Sequence, residues 1–283
     1  MITPNKPNFG LIIVGDEILS GKRADKHMPK LIELLAKRGL SLSYAQYVGD
    51  DPSRITHTLR EAFQSGDIVF SCGGIGATPD DHTRQCAAKA LGLEMRLHPT
   101  AEGFIRKRIQ DQALESGLPY EPDHPNHIHR LNMGVFPVGA DIVPNPYNNI
   151  AGFQCSTQDL AVLAQHPWAR VYFVPGFPVM AWPMMEWVLD TYCAPWFDMS
   201  AWLEKSVIVF GAMEAALTPI MIDLEKAFEG VKVFSLPSVD HPEFGRHIEL
   251  GVKGRPELAK PAYECMLKKL HEFGASIGPE LVR

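Results

Sequence analysis

The chain has 283 residues, and at about 150 residues per domain that length predicts two domains. Its 46% apolar and 21% charged residues are ordinary globular usage, which excludes a disordered tail, a collagen-like repeat and a coiled coil. A formal net charge of −6 argues against a nucleic-acid binder, and no apolar run reaches the ~20 residues that cross a bilayer.

In chain order, Phe9–Val14 is an apolar run closed by Gly15, as expected of a strand buried on both faces. Asp25 is placed to cap a helix whose Met28, Leu31, Ile32, Leu34 and Leu35 share one broad face, with Gly39 closing it. Residues 42–48 read as a second strand. Asp51 then offers an N-cap, with Pro52 at the first helical position and Ile55, Leu59, Ala62 and Phe63 following at helical spacing. Residues 67–72 form a third strand, and 79–91 a further helix closed by Gly92. This alternation predicts a mostly parallel sheet with helices on both faces, in which ligands bind beyond the carboxyl ends of the strands.

Three of those strand ends carry polar or glycine-rich chemistry: Gly15–Gly21 with Asp16, Glu17 and Ser20, then Gly49–Asp51, then Gly73–Asp81. Gly73, Gly74 and Gly76 make either a tight turn or a phosphate cradle. The cradle gains support because the turn opens a helix, whose free N–H groups attract anions. The segment is neither a P-loop nor a dinucleotide fingerprint. Thr78-Pro-Asp-Asp81 fits a capping box, so Asp81 reads either as a cap or as a metal-holding carboxylate. Asp51 can supply the next N-cap, which leaves Asp50 without a structural duty and free to project over the sheet edge. Carboxylates beside a phosphate site usually hold Mg²⁺.

Residues 99–117 look helical, and Arg106, Lys107 and Arg108 on them form a solvated face or steer phosphates. The polar loop 117–130 carries His124, His127 and His129 and is expected to cover a pocket rather than bind zinc, since no cysteine accompanies it. Trp168, Trp182, Trp187, Trp196 and Trp202 suggest packing at a domain junction or subunit interface, hence a homodimer or higher homo-oligomer; a ring-stacking platform is the alternative. From residue 205, strands at 207–210, 231–236 and 247–252 and helices at 214–228 and 256–273 predict a small α+β unit. Its GxxG, Gly251–Gly254, lies between a strand and a helix rather than between helices. Ten Lys/Arg face twelve Asp/Glu over 200–283, so RNA is not an expected partner. Five scattered cysteines without a C-x-x-C pair, and no secretory signal, place the chain in the cytoplasm.

Taken in order, GDEILSG, VGDD, SCGGIGATPDD, FPVGADIVPNP with AGF, and VPGFP resemble the amino-terminal domain of the CinA (competence/damage-inducible protein A) family, itself similar to the MoaB/MogA molybdopterin-binding fold. The resemblance covers about residues 1–190. With it goes a three-layer α/β domain over 1–175, a Trp-rich linker or helix over 176–204 and a smaller α+β, KH-like domain over 205–283. It also implies a pocket for a pterin phosphate or nucleotide diphosphate. Asp50 and Asp81 would be its functional carboxylates, joined by Asp80 and Glu17 in holding Mg²⁺. Gly15, Asp16, Glu17, Ser20, Gly73, Gly74, Gly76, Thr78, Pro175 and Gly176 would contact the ligand.

The leading expectation is metal-dependent hydrolysis of a pyrophosphate linkage such as that of ADP-ribose. The alternatives are molybdopterin binding or adenylyl transfer to it, and a non-catalytic nucleotide sensor or assembly protein. The sequence departs from the family pattern at Ala77, where Pro is common, at Asp25-Lys-His27, where an Asn usually stands, and at Val174-Pro-Gly-Phe-Pro178. No amidohydrolase segment follows residue 283, so deamidation of nicotinamide mononucleotide is not expected.

Overall fold

The computed structural model describes residues 6–198 and 203–282 and divides into two compact units, Met1–Phe197 and Asp198–Arg283. The first holds β1 (Phe9–Val14), α1 (Asp16–Leu19), α2 (His27–Ala36), β2 (Leu42–Val48), α3 (Pro52–Gln64), β3 (Ile68–Cys72), α4 (Thr83–Leu91), β4 (Met95–Leu97) and α5 (Pro99–Ser116). It continues with α6 (Pro125–Leu131), β5 (Val135–Pro137), β6 (Asp141–Val143), β7 (Gly152–Ser156), α7 (Leu160–Gln165), β8 (Arg170–Val174) and α8 (Pro178–Tyr192). Six strands form one sheet in the order β2-β1-β3-β8-β7-β6; the first four pair in parallel, β7 is antiparallel to β8, and β6 is antiparallel to β7. β4 and β5 make a separate ribbon.

Every residue of β1 and β3 is buried, which is why both read as continuous apolar runs rather than alternating ones. The sheet separates two apolar layers. On one face lie Leu31, Leu34 and Leu35 of α2 with Met184, Met185 and Val188 of α8; on the other lie Ile55, Leu59 and Phe63 of α3 with Ala87 of α4. Each such buried Leu, Ile, Val, Phe or Met side chain contributes about 1.5–3 kcal/mol. β1 therefore continues into helices on one face and β3 into α4 on the other, and the chain reverses sides between two neighbouring strands.

Four expectations change. α4 begins at Thr83, not 79, because residues 78–81 close a turn of their own: Asp81 N–H donates to the Thr78 carbonyl at 3.1 Å. The 117–130 loop contains helix α6, whose N-cap is His124, its ring Nδ1 accepting from Asn126 N–H. The segment 176–204, expected as a Trp-rich linker or helix, contains helix α8, which lies in the core of the first unit, so that unit runs to Phe197 and not to 175. Trp168, Trp182, Trp187 and Trp196 pack against that same core, so by themselves they do not argue for a partner; Trp202 lies outside the described residues. Arg106, Lys107 and Arg108 pair along α5 with Glu102, Asp111 and Glu115, as a solvated face does.

The second unit runs β9 (Leu203–Phe210), α9 (Glu214–Ala227), β10 (Lys232–His241), β11 (Gly245–Gly254), α10 (Pro256–Phe273) and β12 (Ser276–Val282). Its sheet, β10-β11-β9-β12, is antiparallel throughout. The closing strand β12, absent from the sequence reading, completes a split βαβ pattern. Val207, Val209, Leu250 and Val252 of the sheet pack on Leu217 of α9 and on Tyr263 and Met266 of α10. Among the described residues no helix is long and apolar enough to cross a membrane.

Candidate functional site

Strands β2, β1, β3 and β8 end side by side, with Val14 opposite Val48, Ile13 opposite Cys72 and Cys72 opposite Val174. The loops that leave them therefore share one edge. They are Gly15–Ser20, Gly49–Asp51, Gly73–Asp81 and Pro175–Phe177, and the crevice they form stands at the point where the connections change face.

Asp16 and Asp50 clip the first two loops together. The Asp16 N–H donates to Asp50 Oδ2 at 2.9 Å, and the Asp50 N–H donates to Asp16 Oδ1 at 3.2 Å. Asp50 thus has a structural duty that the sequence did not reveal. Burial, chiefly, pushes its carboxyl above the ordinary aspartate value; the bond from Asp16 N–H opposes this, and the charges of Asp16, Glu17 and Asp80 add to it. Three further acids therefore act on Asp50 electrostatically. Asp51 does what its position foretold: its carboxylate caps α3 by accepting from Arg54 N–H at 2.7 Å. Ser20 closes α1, its N–H donating to the Asp16 carbonyl at 2.8 Å.

The Gly73–Asp81 segment folds back on the start of α4. Gly73 has φ +100° and Gly74 φ +67°, and a side chain on Gly73 would collide with the Val14 carbonyl. Its carbonyls are taken by protein donors. Thr83 Oγ1 donates to Gly73 O at 3.1 Å, Thr83 N–H to Gly74 O at 3.0 Å, and Arg84 Nη2 to Gly76 O at 2.6 Å. His129 of α6 places Nε2 3.1 Å from Ala77 O. Asp81 Oδ2 accepts from both the N–H of Thr78, at 2.9 Å, and its hydroxyl, at 2.5 Å. By contrast, the N–H groups of Gly74, Ile75, Gly76 and Ala77 donate to no protein group among the described residues. Four consecutive amides without protein acceptors stand beside two residues of positive φ, the kind of backbone arrangement that can take an anion.

The fourth loop is held from below. His27, buried at the start of α2, places Nε2 3.0 Å from the Gly176 carbonyl, and Asp25 accepts from the N–H groups of His27 and Met28. Gly176 in turn packs against Gly73. An open groove of about 830 Å³ borders the edge, walled by Leu19, Tyr47, Gly49, Asp51, Arg54 and His57 among others. A smaller aromatic cavity of about 260 Å³, walled by Trp168, Tyr172, Tyr192 and Trp196, lies instead where β3 and β8 begin, with Ile68 and Arg170.

The acids do not make a metal centre on their own. Asp81 Oδ2 is occupied by Thr78 and Asp50 Oδ2 by Asp16, and among the described residues no three His, Cys, Asp or Glu side chains group to hold an ion. Arg84, the second residue of α4, was missed by the sequence reading, because nothing local marks it as buried. His129 was noticed only as part of a covering loop.

Fold and edge together define an α/β domain whose glycine-rich and acidic loops leave neighbouring strands along one sheet edge. Residues 10–194 match the family described as "Probable molybdopterin binding domain", and the chain belongs to that family. It is 29% identical to a protein of Pyrobaculum calidifontis over 94% of this chain and 95% of that one. It is 27% identical to a CinA-like protein of Geobacter metallireducens, over 79% of this chain but 50% of the relative, so it spans about half the length of that protein. Among solved structures it is similar to the protein CinA, of unknown function, from Thermoplasma acidophilum, with TM-score 0.52 and 25% identity over 65% of this chain and 97% of that one.

Proposed function

We propose that the crevice binds a small molecule through its phosphate, and that the ligand is a pterin of the molybdopterin class. The observation that carries this is the run of four N–H groups, Gly74–Ala77, left without protein acceptors at the strand ends. Family membership supports the pterin. The carboxylates of Asp16, Glu17 and Asp50 are acceptors suited to the amino and ring N–H groups of such a ligand, which its phosphate would avoid.

The test is a panel of pterin phosphate, AMP, ADP-ribose and inorganic pyrophosphate, reading melting temperature. A ligand at a hundred times its Kd stabilises by about 2.7 kcal/mol, which the melting curve resolves. The pterin phosphate is expected to give the largest rise, and no rise with any phosphate-bearing compound would sink the reading. A second reading, cleavage of a diphosphate such as ADP-ribose, draws on the acids gathered electrostatically around Asp50. Any Mg²⁺ would then take one or two of those carboxylates and complete its shell from the ligand. Product analysis of the same panel with Mg²⁺ and with EDTA separates binding from turnover; AMP released from ADP-ribose only with Mg²⁺ would favour the hydrolase.

A further inference from the structure

We infer that Arg84 supplies the fixed charge of the anion site and makes it select doubly charged phosphate groups, phosphate monoesters or diphosphates, over singly charged acids of the same shape. The inference rests on the phosphate-binding reading above and gives that site its charge preference.

Arg84 is 3% exposed and stands at the second residue of α4, directly beneath the glycine turn. Its Nη2 reaches the Gly76 carbonyl at 2.6 Å, while its Nε is buried without an acceptor. A guanidinium carries five N–H donors in a rigid fork and stays charged in proteins. Burying such a cation is costly unless an anion answers it. Asp81 is the carboxylate whose charge acts on it, but Asp81 Oδ2 is already shared by the N–H and hydroxyl of Thr78. No carboxylate stands within ion-pair distance of Arg84 among the described residues. The buried cation is therefore under-compensated, and its hydrogen bond to the Gly76 carbonyl holds the turn whose amides have no protein acceptor.

The rim makes the same demand from the other side. An anion entering the turn approaches the charges of Asp16, Glu17, Asp50 and Asp80, which all repel it. Backbone amides offer only partial charges against four carboxylates. Arg84 is a full charge that desolvation keeps from being screened, and its bond to Gly76 O turns that carbonyl inward, away from the ligand. It acts through the loop, as a positioning and charge-supplying residue rather than a direct contact.

The test uses the full chain, ¹⁵N-labelled and titrated with inorganic pyrophosphate in the presence of EDTA. The amides of Gly74–Ala77 and the Arg84 Nε–H are expected to shift together along one binding curve. Amide shifts with a stationary Arg84 Nε–H would overturn the role of Arg84 and leave the phosphate reading standing; no amide shift would overturn both. Arg84→Met is then compared with Arg84→Lys for binding of phenyl phosphate and of benzenesulfonate, a monoanion of similar shape. The preference for phenyl phosphate is expected to fall about tenfold in Arg84→Met and to stay within about threefold of the original in Arg84→Lys. A purely structural role would weaken both ligands alike, and an unchanged preference in Arg84→Met overturns the inference. If Arg84→Met does not fold, the titration of the unaltered protein decides alone.

Discussion

Gly73, Gly74 and Gly76 lie in a turn whose carbonyls are bound by protein donors while the N–H groups of Gly74–Ala77 have no protein acceptor. Gly251 and Gly254 lie in β11, where Gly251 pairs with Ser206 of β9 and Phe234 of β10, and Gly254 with Leu203. Both stretches are glycine-rich ends of strands followed by a helix, and from sequence either could be read as a backbone cradle. The difference is in hydrogen bonding. The second stretch sits within the ladder of its sheet, with strands on either side of Gly251, while the first is kept out of any ladder by two residues of positive φ. Composition identifies where a backbone can approach something; the pairing decides whether it still has anything to offer.

The comparison breaks most visibly at Gly73. Gly73→Ala forces a side chain into a positive φ and against the Val14 carbonyl, so a loss of at least about 3 kcal/mol is expected, with phosphate binding abolished. For a unit of this size, calorimetry should show that as a fall of roughly 6–12 °C. Gly251→Ala meets the Phe234 ring and Ser206 Cβ, and overpacking of this kind costs about 1–3 kcal/mol. Its expected signature is earlier melting with unchanged pyrophosphate affinity by titration; altered affinity would mean the second stretch does more than build its sheet.

Smaller effects separate Asp51 from Asp50. Asp51→Ala removes the N-cap of α3 and is expected to cost about 1 kcal/mol by denaturant unfolding, without altering ligand affinity. Asp50→Asn keeps an acceptor for the Asp16 N–H but removes the charge. Because the folded state raises the Asp50 pKa, the native protein holds its proton more tightly than the unfolded chain does. The contribution of Asp50 to stability therefore falls as pH rises from the ordinary aspartate value through the raised folded value. Relative to the unaltered protein, Asp50→Asn should gain stability above that window and lose the advantage below it. Paired unfolding curves from pH 3 to 7 that run parallel would refute this.

Features built from neighbours in sequence were legible. β1 showed as an apolar run because it is buried on both faces, and α3 was announced by Asp51 and Pro52, adjacent residues that make its cap. Features that depend on distant partners were not. Asp50 meets Asp16 across 34 residues, and α6 is held by the contact of His129 with Ala77, 52 residues away. The start of α4 was misjudged for a related reason: the Thr78–Asp81 pair looks the same in sequence whether it opens a helix or closes a separate turn. β12 was missed as an edge strand whose Ser276–Val282 alternates weakly and contains both Gly278 and Pro279. The glycine-rich loop and its acids were found, yet the buried Arg84 beneath them was not, since nothing local distinguishes a buried arginine from one on a solvated helix face.

The contact between Gly73, Gly176 and the Val14 carbonyl has a consequence for how such a protein can diversify. At Gly73 there is no room for a side chain, since a Cβ would meet the Val14 carbonyl, so this point of the crevice floor stays bare backbone in any sequence that keeps the fold. New ligand preferences would have to arise on the rim, at exposed positions such as Phe177 and Asp80, where substitution does not disturb the strand ends. On the proposed phosphate-binding reading, a lineage could exchange the organic part of its ligand by altering a few rim residues while inheriting the backbone floor at Gly73 unchanged.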